Sequence, residues 1–201
     1  GMAQQSVMSL TFEVETHTYR FNGVVVPSVT QVLKPLTDYG MIPADTLEIA
    51  RMKGLATHKM VELHSKGDLD EDSLPKWMSP VLAQWRKFID DTGFEMIVSE
   101  HRVYHEQYAF AGTLDFFGRI NGDDVFIDVK RSFLSGAIGF QLSAYQEAYV
   151  AQQKAGKDAK RYALKLNELG PYRLEEFKDK KDFSRFLVCL AFFKLQREFV
   201  K

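Results

Sequence analysis

The sequence predicts an α/β fold in which one central mixed sheet, carrying an antiparallel hairpin, is flanked by helices. Three observations predict it. Apolar residues recur at helical spacing over residues 79–93 and again from about residue 182. Between them, residues 94–130 turn to strand-like runs, with Asn121-Gly122 as a tight-turn signal. A helical segment at 138–153 then separates that block from two further strands. With 201 residues, 45% of them hydrophobic, the chain is long enough to bury roughly 70% of its extended surface. No linker-like stretch or internal repeat interrupts it. A single domain over 1–201 is expected, with an N-terminal hairpin extension at about 8–35.

The elements follow in order. Residues 10–26 read as two short strands, with Phe12, Val14 and Thr16 alternating and Asn22-Gly23 as a turn. Pro27-Ser28 leads into a short helical stretch at 29–33 that Pro35 closes. In the next helix, at about 44–65, Ala50, Gly54 and His58 stand at i, i+4 and i+8 on one face. Two small neighbours leave room for a group to approach the imidazole. The acidic run at 68–72 makes a solvated loop. Ser79-Pro80 serves as N-cap and first-turn proline of a helix whose buried stripe is Val81, Leu82, Trp85, Phe88 and Ile89, and Gly93 ends it. Strands are expected at 94–100, at 101–106, on both sides of Asn121-Gly122, and at 162–166 and 172–177. The last helix sets Phe183, Phe186, Leu187 and Leu190 at core spacing.

The chemistry concentrates in Gly112-x-x-Asp115 and Asp128-Val129-Lys130. If Asn121-Gly122 is a two-residue type I′ loop, Ile120 pairs with Asp123 and Asp115 stands across from Asp128; a four-residue loop puts Asp115 across from Lys130. Either register leaves Asp115, Asp128 and Lys130 on one face and Val125, Ile127 and Val129 on the other. Paired carboxylates repel unless a cation or proton lies between them. Oxygen ligands on a rigid strand pair suit Mg²⁺ or Mn²⁺, and a lysine among acids stays cationic. Metal, activated water and a fixed cation are what phosphodiester hydrolysis needs. The same three residues could instead form a salt-bridge ladder on a solvated sheet face.

These residues, with Gly54-x-x-x-His58 and Gln141-x-x-x-Tyr145, give the chain its resemblance to the PD-(D/E)XK nuclease superfamily, in particular its RecB-like and phage-type exonuclease branch. The matched stretch spans about residues 54–149, and Pro27-Ser28-Val29-Thr30 is similar to the entry segment of phage members. The resemblance implies a restriction-endonuclease-like core and a divalent-metal-dependent deoxyribonuclease, an exonuclease of recombination, repair or phage replication. It implies His58, Asp115, Asp128 and the Val129 carbonyl as ligands of Mg²⁺ or Mn²⁺, Lys130 as the residue that positions the attacking water, and Gln141 and Tyr145 beside it. Arg131-Ser132 departs from the threonine that often follows the lysine. An arginine there could clamp a phosphate, or mark a catalytically silent nuclease fold that serves as a DNA-binding or assembly module. Glu62 is read as a supporting acid or a solvated helix residue, Glu100 as a surface acid with an outer metal ligand as its alternative, and His101 and His105 as surface residues, since their metal-compatible spacing has no third ligand.

Composition narrows the partners. A net charge of −1 excludes a generally basic nucleic-acid coat, but residues 154–181 hold nine Lys and Arg against five Asp and Glu, a candidate backbone-tracking edge. DNA without base specificity is the expected partner, and any helicase or recombination partner would be a separate chain, since there is no Walker A motif. Cys189 allows no internal disulfide and no iron–sulfur cluster, and reads as a small buried hydrophobe. With no membrane span or signal peptide in the pattern, a cytoplasmic location is expected.

Overall fold

A computed structural model describes residues 9–37, 40–133 and 136–200. The elements run β1 (Leu10–Glu13), β2 (Thr18–Phe21), β3 (Val24–Val26), α1 (Val29–Thr37), α2 (Ala44–Lys66), α3 (Met78–Thr92), β4 (Glu95–His105), β5 (Phe110–Ile120), β6 (Asp123–Lys130), α4 (Ile138–Gln153), β7 (Lys160–Lys165), β8 (Arg173–Glu176) and α5 (Asp182–Phe199). A mixed five-stranded sheet in the order β4-β5-β6-β7-β8 forms the centre. Its strands are antiparallel except for β6 and β7, which pair in parallel across the α4 crossover.

Helices cover both faces. On one, Leu142, Tyr145, Ala148 and Tyr149 of α4 and Phe186 and Leu190 of α5 pack on Phe110, Leu114, Phe117 and Phe126. On the other, Met60 and Val61 of α2 and Val81, Leu82, Trp85 and Phe88 of α3 pack on Phe116, Val125, Ile127 and Val129. A separate three-stranded sheet, β1-β2-β3, is tied to β5 where the Pro27 carbonyl accepts the Ala111 N–H at 2.9 Å.

Five expectations change. Residues 10–26 make three strands rather than two, because a turn at 14–17, with His17 at φ 50°, breaks the Phe12–Thr16 alternation and leaves Val14 exposed. Helix α1 runs through Pro35, seventh in the helix, at the loss of one amide donor. Helix α3 starts two residues earlier than Ser79-Pro80 suggests; Pro80 falls in the first turn, where amides have no helical partner anyway. The two strands expected at 94–106 are one, β4, with a bulge between Met96 and Val98. Cys189 is only half-buried.

Candidate active site

The hairpin register follows from its tip. Asn121 and Gly122 both take positive φ, 51° and 85°, as a type I′ turn requires, and Ile120 pairs with Asp123. The β5–β6 ladder continues to Phe116↔Ile127 and stops. Beyond it, the Val129 N–H donates to Oδ2 of Asp115 at 2.7 Å. The carboxylate thus takes the amide that the end of the ladder leaves over, and both Asp115 and Asp128 are buried at this fork.

The fork is where α2 and α4 reach the sheet. From α2, Nδ1 of His58 lies 3.2 Å from Oδ1 of Asp115, and its Nε2 donates to the Val129 carbonyl at 2.9 Å. Both ring nitrogens therefore face acceptors. Burial alone would lower the His58 pKa, but the charges of Asp115, Glu100 and Asp128 outweigh it and hold the ring well above its ordinary value. From α4, Oε1 of Gln141 accepts from the Lys130 ammonium at 2.9 Å, and its Nε2 donates to the Tyr145 hydroxyl at 3.0 Å. The Lys130 ammonium also lies 2.9 Å from Oδ2 of Asp128.

The two aspartates are driven apart. Burial penalises both charges, but for Asp115 the imidazolium, the Lys130 ammonium and the Val129 N–H win, and its pKa falls. For Asp128, burial and the neighbouring Asp115 charge outweigh Lys130, and its pKa rises. Burial, with the charges of Asp128 and Asp115, also holds the Tyr145 phenol well above its usual range, which keeps its proton and suits it to orienting Gln141 rather than acting as a base.

All seven residues singled out by sequence (His58, Asp115, Asp128, Val129, Lys130, Gln141 and Tyr145) meet here. One neighbour ranks higher here than sequence reasoning placed it, which favoured a surface acid over an outer ligand. Glu100 lies on β4 between the pairs Ser99↔Phe116 and His101↔Leu114, hence beside Asp115, and its Oε1 is 3.9 Å from Nδ1 of His58. Its φ of 47° is a strained value for a residue with a β-carbon, and such strain gathers at functional sites. Its place depends on the register of β4, which no turn signal fixes in the sequence. Glu62 stays outside, paired with Lys59 and Lys66. His105 is buried among Tyr108, Phe110 and Phe183 rather than at the surface, and His101 rests against the Tyr149 ring.

The donor set fits a divalent cation. Among the described residues, Oε1 of Glu100 is buried without a hydrogen bond, and the buried Oδ2 of Asp128 has the Lys130 ammonium 2.9 Å away as its ion-pair partner. Oxygens of Glu100 and Asp115 and a nitrogen of His58 lie within 4.8 Å of one another. Carboxylates and a carbonyl suit Mg²⁺ or Mn²⁺, and the His58 ring, which must give up its Nδ1 proton to ligate a metal, favours the second.

Gly112 is required by packing: a β-carbon there would stand 2.5 Å from Cε1 of Tyr145. At Gly54 nothing lies within 4 Å, so the α2 face leading to His58 is open. The basic edge expected at 154–181 is partly spent on structure, since Arg161 bonds Gln146 and pairs with Asp182. No described helix is long and apolar enough to cross a membrane.

No protein-family model and no curated protein matches the chain. Among solved structures, the fold is similar to a crystal structure described as that of a candidate exonuclease from Eubacterium rectale, with a TM-score of 0.53 and 13% identity, covering 85% of this chain and 79% of that one. At that identity the likeness is one of fold.

Proposed function

We propose that the chain is a divalent-metal-dependent deoxyribonuclease of the PD-(D/E)XK type, an exonuclease that hydrolyses phosphodiester bonds at DNA ends in recombination, repair or phage replication. One observation carries the reading: two buried carboxylates of unlike pKa, an imidazole and an ammonium converge where β5 and β6 part. Asp115, Asp128, His58 and the Val129 carbonyl would hold Mg²⁺ or Mn²⁺, with Glu100 beside them. A divalent ion there supplies charge neutralisation at the phosphoryl group and acidifies the attacking water.

The chain's own residues do the rest. Lys130, held by Asp128 and Gln141, positions the water and offsets charge that develops on a phosphoryl oxygen. The water oxygen joins phosphorus as the bond to the leaving sugar oxygen breaks, and that oxygen takes up a proton. Tyr145 fixes the Gln141 amide so that its Oε1 faces the ammonium. Arg131, the departure that raised the silent-fold alternative, lies against Trp77 rather than over the carboxylates, which favours the active reading.

Incubation of linear and circular DNA with the protein and Mg²⁺ or Mn²⁺ tests this. Linear DNA should be degraded from its ends and circular DNA spared. Lys130→Ala and Asp128→Ala should each lower the rate by about 10²–10³. Cleavage that survives both substitutions would rule the assignment out.

A further inference from the structure

On the opposite side of β6 from Lys130, a second polar cluster has no part in the chemistry above. Arg131 pairs with Glu168, and Lys53 of α2 pairs with the same carboxylate at 2.7 Å. Both cations also flank one indole: the Lys53 ammonium stands 5.1 Å and the Arg131 guanidinium 5.3 Å from the Trp77 ring centre. Two cations thus share one anion. Among the described residues, Nη1 of Arg131 is buried without a hydrogen bond.

The cluster is rigidly mounted. The Asn167 side-chain amide donates to the Arg131 carbonyl at 2.9 Å, the Leu166 N–H donates to the Lys130 carbonyl at 2.9 Å, and Gln84 donates to the Asn167 carbonyl. It is also mounted on the elements that build the active site. Arg131 directly follows Lys130, and Lys53 precedes the open Gly54 on the helix that carries His58.

We propose that Lys53 and Arg131 form a second phosphate-binding subsite for the nucleic-acid strand, and that Glu168 occupies the phosphate's seat until the strand displaces it. The proposal rests on the nuclease reading for its ligand. A phosphate suits the guanidinium fork, offers Nη1 the acceptor it lacks, and carries the same sign of charge as the carboxylate it replaces. Glu168 then acts as a competitor that keeps the two cations together in the absence of DNA and screens them from other anions. The phosphate could be internal to the strand or a terminal 5′-phosphate.

Binding separates this proposal from catalysis. Fluorescence anisotropy of a labelled duplex, with and without a 5′-phosphate, would be followed against salt in EDTA and in Ca²⁺ for the wild type, Lys53→Gln, Arg131→Gln and Glu168→Gln. Removing one cation from a phosphate should flatten the slope of log K against log salt by about 1, alike for different sequences. Lys53→Gln and Arg131→Gln should each show that flattening. Glu168→Gln should tighten binding several-fold and steepen the slope. Lys53 is partly exposed on a long helix, so its variant remains informative if Arg131→Gln misfolds in a thermal melt. An effect confined to the 5′-phosphorylated duplex assigns a terminal phosphate, and an equal effect on both duplexes assigns an internal one. Wild-type slopes in both cation variants, or unchanged affinity in Glu168→Gln, would overturn the subsite while leaving the nuclease reading intact. A wild type that binds no duplex in either buffer would remove both.

Discussion

Oδ2 of Asp115 accepts the backbone N–H of Val129 at 2.7 Å, so a candidate metal ligand is also the group that completes the end of the β5–β6 pairing. Function and fold are coupled at this residue. Asp115→Ala should leave a buried amide unsatisfied and cost about 1–3 kcal/mol in urea unfolding. Asp115→Asn keeps an acceptor for that amide but loses the charge that faces the His58 ring, so it should be destabilised less than Asp115→Ala while losing cleavage. Equal destabilisation by the two would show that the hydrogen bond is not what the fold needs from this side chain.

Gly112 and Tyr145 make a second coupling. Because a β-carbon at 112 would enter the Tyr145 ring, Gly112→Ala should destabilise by about 1–3 kcal/mol. Adding Tyr145→Leu should recover part of that stability in the double variant, and a thermal melt of the three variants measures it. Full additivity would place the strain elsewhere.

Gly54 behaves in the opposite way. With open space around it in the middle of α2, Gly54→Ala should raise helix stability by roughly 0.5–1 kcal/mol. If a DNA strand approaches His58 along this face, the same variant should cleave linear DNA more slowly than the wild type. A variant that is more stable and equally active would show that the strand takes another path.

The Glu168 carboxyl is held at about 2: burial opposes this, but the Lys53 and Arg131 hydrogen bonds outweigh it. Its ordinary value is about 4.3. A depressed folded-state pKa contributes stability that is present above the unfolded value and lost as pH falls toward the folded one. The melting-temperature gap between wild type and Glu168→Gln should therefore be steady above about pH 5 and narrow as pH falls toward about 2. A gap that widened on acidification would contradict the pairing.

Much of the hairpin was legible because its signals are local. Asn121-Gly122 admits a turn with two positive φ values, and period-two alternation then carries Asp115, Asp128 and Lys130 to one end of it. His58 was legible as a ring beside small residues on one helical face. Glu100 was legible only as the lesser alternative, an outer ligand, because its approach to Asp115 depends on a bulged β4 and a left-handed residue that no turn motif announces. The Lys53–Glu168–Arg131 group joins α2, the β7–β8 loop and the end of β6, segments far apart in the chain. Among the elements, α1 outran Pro35 because one missing donor did not stop a helix anchored by buried Val29, Val32 and Leu33.

The central claim, that Asp115 and Asp128 share one divalent ion, is tested most directly by an anomalous-scattering map of Mn²⁺-soaked crystals. A single strong peak touching both carboxylates, abolished in Asp128→Ala crystals, is the predicted result. An ordered protein with no peak between those side chains at saturating Mn²⁺ would contradict it.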